Sequence, residues 1–142
     1  MNIKNMSLSF IEARRYSRQG KPTNIRIDHN STVTLFTVTG KGTAQVEFEY
    51  TASYGPLGMI KFGGELVYEG KDAEEVAKKW RETKNMPNEV ASQIHTAIMH
   101  FCLPEAVMVS RDLRLPPPIP MPQVRFDKEA EKEKGRYSPE VV

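Results

Sequence analysis

Three histidines, a single cysteine and a cluster of arginines are the residues of this chain best suited to chemistry. His95 and His100 stand five apart in a helical stretch, a rotation of about 140° at 3.6 residues per turn. Two histidines that share a metal on one helix need a four-residue step, so the pair is poorly placed for a metal. His100 precedes Cys102 closely enough to suggest an activated thiol. No carboxylate at helical spacing orients that imidazole, however, and a nucleophile and its base normally come from separate elements. Cys102 therefore reads as a buried structural cysteine, and the two histidines as partly exposed. His29, beside Asp28, reads as a surface residue hydrogen-bonded in a turn. Arg14, Arg15, Arg18 and Lys21 surround Tyr16 and have the parts of a phosphate-holding, base-stacking loop; without flanking aromatics, an exposed loop is the simpler reading. The sequence contains no phosphate-binding glycine loop, nucleophile elbow or zinc signature, so the expectation is a non-enzyme without cofactor or metal.

The elements that must position these residues fit in one domain. A chain of 142 residues has room for one sizeable core. Lys and Arg number 20 against 18 Asp and Glu, a net charge of +2 that nominates no nucleic-acid partner by itself. One cysteine excludes an intramolecular disulfide. The stretch MNIKNMSLSF has no apolar core suited to a signal peptide, and no segment approaches the ~18 apolar residues of a spanning helix. The expectation is a soluble, cytoplasmic protein without membrane insertion.

The first half reads as strands. Residues 6–14 and a segment near Ile25 and Ile27 flank a loop marked by Gly20 and Pro22, HNS reads as a turn, and TVTLFTVT is a β-branched run ended by GKG. In residues 45–54, Val46, Phe48, Tyr50, Ala52 and Tyr54 share one face, and Gln45, Glu47, Glu49, Thr51 and Ser53 the other. Residues 59–69 repeat the pattern, with Ile60, Phe62, Leu66 and Tyr68 opposite Lys61, Glu65, Val67 and Glu69. An antiparallel sheet covered on one side follows. The adjacent Gly63 and Gly64 suggest a bulge or the close approach of another element. Helical signals then take over. Asp72 and Glu75 have capping-box spacing before a helix over about 73–84. Pro87 suits the first turn of a second helix, with Val90, Ile94, Ala97, Ile98 and Phe101 at the 3.6-residue period. Pro104 predicts a kink or break in that helix, which otherwise runs to about Asp112. The expected fold class is α+β: an antiparallel four- to five-stranded sheet with one face covered by two C-terminal helices.

Residues 115–126 form a proline run, LPPPIPMPQVRF, whose PxxP spacings match the ligands of aromatic-lined grooves. Leu115, Ile119, Met121, Val124 and Phe126 put an apolar residue at nearly every gap, which favours a strap packed on its own domain or on a subunit partner. The charged residues 127–142 read as a tail without a core. Met59, Met108 and Met121, near three irregular places in the chain, suggest an adaptable apolar groove.

This order of elements resembles the SecB family of export chaperones, including its divergent archaeal SecB-like group. The resemblance covers roughly residues 6–126 and rests on Pro87, Pro104, the VSR of residues 109–111, Leu115-Pro116, PMPQVRF and the hairpin VTGKG…FEYTASYGPLGMIKFGG. It implies an ATP-independent holdase that binds unfolded polypeptides in apolar grooves, a homo-oligomer (dimer or tetramer) with sheets outside and long helices inside. Client contacts are expected at Phe10, Tyr54, Leu57, Met59, Met108, Leu113 and Met121. The bacterial family is acidic and docks a translocation motor through its sheet. Here only Glu47, Glu49, Glu65 and Glu69 supply such a patch, on a slightly basic chain, which argues against motor docking. The rival expectation is an assembly protein of a ribonucleoprotein that binds RNA or protein through the basic loop and tail.

Overall fold

A computed structural model describes residues 2–16 and 25–120. Strands β1 (Asn2–Arg15), β2 (Asp28–Gly40), β3 (Thr43–Ser53) and β4 (Gly58–Glu69) are followed by helices α1 (Ala73–Thr83) and α2 (Asn88–Asp112), and a 3-10 turn at Gly55–Leu57 joins β3 to β4. The strands form one antiparallel sheet in the order β1-β4-β3-β2, so the two most regularly alternating segments are its centre. The fold is α+β, with four strands among the described residues.

Along β3, every residue of the apolar set is buried and every residue of the other set is half-buried, as a period of two requires of a sheet covered on one side. Cross-strand pairing then stacks like with like. Tyr50 lies opposite Phe62, with ring centroids 5.8 Å apart, and Val46 opposite Leu66. Aromatic pairs of this kind contribute about 1 kcal/mol beyond the area they bury. The turn Lys41–Gly42 closes the β2–β3 hairpin, with Gly42 at φ 69°, a left-handed value that suits glycine.

The two central glycines serve close approach. A Cβ on Gly64 would meet the Ser7 carbonyl oxygen and lie 2.7 Å from the Phe48 ring, so the missing side chain lets Phe48 fill the middle of the covered face. A Cβ on Gly63 would meet the Phe10 ring, which lies over that glycine on the outer face. The irregularities of pairing sit on the partner strand: β1 shifts register between Lys4 and Ser7 and again between Leu8 and Phe10.

Helix α1 buries Ala73, Val76, Ala77 and Trp80 and exposes Glu74, Glu75, Lys78 and Lys79. The capping box expected from Asp72 and Glu75 does not form. Asp72 makes no side-chain cap bond and instead accepts a hydrogen bond from the Tyr68 hydroxyl at 2.8 Å. A carboxylate within reach of a buried phenol satisfies a costlier group than a half-exposed helix N–H. Helix α2 starts one residue later than expected, with Pro87 at its N-cap position, and buries Val90, Ile94, Ile98, Cys102 and Ala106 along a four-residue row. It continues unbroken through Pro104. That proline is exposed, as is His100, whose carbonyl it leaves without a helical donor, so water can replace the lost bond. HNS is not a turn, because residues 29–31 are paired in β2 opposite Ala52, Thr51 and Tyr50.

Two glycine substitutions separate these roles. Gly64→Ala should destabilise the protein by about 2 kcal/mol in urea unfolding, since backbone and a core ring must move together. Gly63→Ala should have a smaller effect, because the half-exposed Phe10 ring can swing into solvent.

Candidate functional site

One end of the sheet gathers four elements through polar contacts at its margin. At the end of β1, Arg15 donates from Nη1 to the carbonyls of Leu113 (3.2 Å) and Arg114 (2.6 Å), the residues just after α2. A guanidinium there opposes the negative end of the helix dipole and satisfies carbonyls that no helical N–H can reach. The Tyr16 N–H donates to Leu57 O at 2.8 Å, and the Leu115 N–H to Ser110 O at 2.9 Å. The Tyr54 hydroxyl donates to Pro116 O at 2.7 Å. Leu115 and Pro118 are buried. Residues 115–118 are thus held by the domain itself, which favours the strap over a free proline ligand; residues beyond 120 lie outside the described part. Arg15 is committed to this junction, and Arg18 and Lys21 lie outside the described residues.

The seven candidate contact residues do not form one patch. Tyr54 and Leu57 are buried at the junction, with half-buried Leu113 beside them. Phe10 and half-buried Met59 face the outer side of the sheet, on rows separated by Glu12 and Lys61. Met108 is 63% exposed on the side of α2 away from the sheet. Met121 lies outside the described residues. Reasoning from the sequence missed Phe101, which is exposed on the same side of α2, seven residues before Met108. The available signal was charge: α2 has no Asp, Glu, Lys or Arg from Val90 to Pro104, whereas the exposed face of α1 is almost entirely charged. A solvent-facing helix surface without charge resembles the centre of an interface.

The acidic outer face is partly neutralised. Lys4 pairs with Glu69 at 2.7 Å and Lys61 with Glu49 at 3.4 Å, while Gln45 donates to Glu65 at 2.7 Å. The Lys4 hydrogen bond also holds the Glu69 carboxyl below its usual range. Glu47 and Glu65 stand directly opposite each other.

The groups suited to chemistry serve packing. Cys102 is fully buried, and burial pushes its thiol up to about 12, far from a reactive thiolate. The His95 Nδ1 is hydrogen-bonded to Ser31 Oγ, tying α2 to the edge strand β2, and His29 Nδ1 is 2.8 Å from the Tyr50 hydroxyl. His29 is therefore a strand residue bonded to a core tyrosine, not a turn residue. Among the described residues, no group of three or more His, Cys, Asp or Glu is placed to hold a metal ion. None of the described helices is long and apolar enough to cross a membrane.

Two measurements test these assignments. Truncation after Leu113 removes the Leu115 and Pro118 burial and leaves Tyr54 without its acceptor, so stability should fall by about 3 kcal/mol, while truncation after Phe126 should leave it unchanged. Burial lowers the His95 pKa, so the folded chain resists a proton that the unfolded chain accepts. Stability should therefore fall as the pH drops through about 6.5 toward the lowered value, and His95→Gln should flatten that part of the urea-midpoint profile.

No protein-family model matches the chain, and no curated protein matches it in sequence. Among solved structures it is similar to a SecB-like chaperone of Mycobacterium tuberculosis in complex with a ChAD peptide from an antitoxin. The match has 12% identity, covers 86% of this chain and 89% of that one, and has a TM-score of 0.55. At that identity the similarity shows the fold, and the fold is SecB-like.

Proposed function

We propose that this protein is an ATP-independent holdase that binds unfolded polypeptides and acts as a homo-oligomer. The observation that carries the reading is the charge-free stretch of α2 from Val90 to Pro104, with Phe101 exposed on it and Met108 exposed beyond it, on a SecB-like fold whose solved neighbour holds a peptide. The part of α2 around Ser92, Thr96, Ala97 and Phe101 has small and apolar side chains that permit close packing against a second copy. Met108 and Leu113, near the end of the helix, and Phe10 and Met59, on the outer sheet face, remain for clients; Met121 belongs to the same proposal. Tyr54 and Leu57 support that surface from beneath the strap. Apolar burial supplies the affinity, at roughly 25 cal/mol per Å2, so the chemistry of the client matters less than its length and exposure. The half-neutralised acidic face gives no support to motor docking, and export is not part of the proposal. The buried, protonated Cys102 likewise gives no support to catalysis.

The test is suppression of aggregation. At stoichiometric ratio and without nucleotide, the purified protein should keep a chemically denatured test protein from scattering light, and Met108→Glu should reduce that protection several-fold while leaving the circular dichroism unchanged. Phe101→Glu should lower the mass seen by light scattering. Absence of protection by the parent protein sinks the proposal, and salt-sensitive RNA binding in its place would support the ribonucleoprotein role.

A further inference from the structure

We infer that the cleft between the end of β1 and the end of α2 binds a phosphate monoester carried beside a planar ring, the chemistry of a nucleoside monophosphate. This is a site separate from polypeptide binding and does not rest on the holdase reading. The cleft has a volume of about 510 Å3, within the roughly 300–1,000 Å3 of small-molecule sites. Arg14 and Arg15 line it from β1 and Arg114 from just after α2, and Asp112 supplies its single carboxylate. Three cations against one carboxylate leave an excess of positive charge, which a phosphate monoester, at about −1.5 to −2 near neutral pH, cancels.

The helix end itself needs only one of these arginines. Arg15 satisfies the Leu113 and Arg114 carbonyls, while the Arg114 N–H donates to Arg111 O at 3.2 Å and the Leu115 N–H to Ser110 O at 2.9 Å. Those two backbone bonds form the left-handed closure in which glycine is the usual residue. Arg114 holds that position at φ 55°, where a side chain is strained. Strained residues of this kind cluster at ligand sites, and here the strain places a guanidinium at the cleft. Among the described residues the ion pairs lie elsewhere, at Lys4–Glu69, Arg26–Asp28 and Lys61–Glu49. Arg14 and Arg114 come from different elements, so their paired N–H donors can hold different oxygens of one phosphoryl group. The rest of the lining suits the rest of the ligand. Tyr16 is 59% exposed and offers a ring on which a base can stack, and Asp112 can accept from a sugar hydroxyl. Among the described residues Tyr16 is the one aromatic lining the cleft, so a single base is held, which favours a mononucleotide over a long single strand.

Isothermal titration calorimetry with adenosine monophosphate tests the inference. Adenosine, ribose 5-phosphate and inorganic phosphate should each bind about tenfold more weakly or worse, because each lacks one of the recognised parts. Arg114→Gly removes the guanidinium and suits the left-handed backbone. It should weaken adenosine monophosphate about tenfold while urea unfolding shows stability unchanged or raised. Arg14→Gln should lose several-fold, and Tyr16→Leu should erase the preference for adenosine monophosphate over ribose 5-phosphate. Lys71→Gln, beyond the opposite end of β4, is the unaffected control. Failure of adenosine monophosphate to bind, or undiminished binding by Arg114→Gly, overturns the inference. Inorganic phosphate binding as tightly as adenosine monophosphate overturns the ring-bearing ligand. Tighter binding of an oligouridine, lost steeply with salt, overturns the mononucleotide in favour of the ribonucleoprotein role. None of these outcomes bears on the suppression of aggregation.

Discussion

Three tyrosines of the central hairpin hold the covering elements in place. Tyr50, Tyr54 and Tyr68 all have buried rings on the helix side of β3 and β4, and the hydroxyl of each bonds to a different element: His29 in β2, the Pro116 carbonyl in the strap, and Asp72 before α1. A buried phenol without a partner costs about 1–3 kcal/mol, so the element supplying each partner is tied to the position of the hairpin. Burial pushes all three phenols upward, Tyr54 to about 12, so the bonds are made by neutral hydroxyls across the physiological range. Core packing alone is non-directional; these bonds at its margin fix where the edge strand, strap and first helix attach.

A sheet of four strands is wide relative to the helices above it. α2 crosses all four strands and α1 lies over β2 and β3, yet parts of the outer strands stay bare: Ile11 on β1 and Val38 on β2 are exposed although both point to the helix side. The same geometry leaves the far side of α2 in solvent. The two helices treat solvent differently: α1 surrounds its buried stripe with charge, and α2 does not. Since charge on an exposed helix costs little and aids solubility, its absence over four turns is a property of that surface rather than of the fold.

The hairpin and both helices were legible in the sequence because their periods are strict. Val46 to Tyr54 alternate without error, and Val90, Ile94 and Ile98 repeat at one turn. Where local signals failed, a tertiary partner had overridden them. HNS has turn composition, yet ladder pairing and the Tyr50 hydroxyl keep it extended; Asp72 has cap spacing, yet Tyr68 claims its carboxylate. Tyr54 alternates with the core set, but the bond of its hydroxyl to Pro116 was hidden because it joins residues about 60 apart, a closure that no local pattern records. Phe101 was overlooked for a related reason: its period fits the core row, and only the missing charges around it show a face turned outward.

The exposed apolar residues also limit what binding can look like. Fully burying a large apolar side chain contributes about 1.5–3 kcal/mol, and Phe10, Phe101 and Met108 are already partly covered. Association costs at least about 4 kcal/mol in lost freedom, so no one of these positions holds a partner alone. Phe10 lies on the outer sheet face and Met108 on the far side of α2, so a compact ligand cannot touch both. A chain long enough to run from one to the other can, and each further contact is then made at high effective concentration. If this surface holds clients as proposed, it discriminates by conformation: a folded protein presents its apolar residues to itself, whereas an extended polypeptide reaches enough of these scattered positions to stay bound.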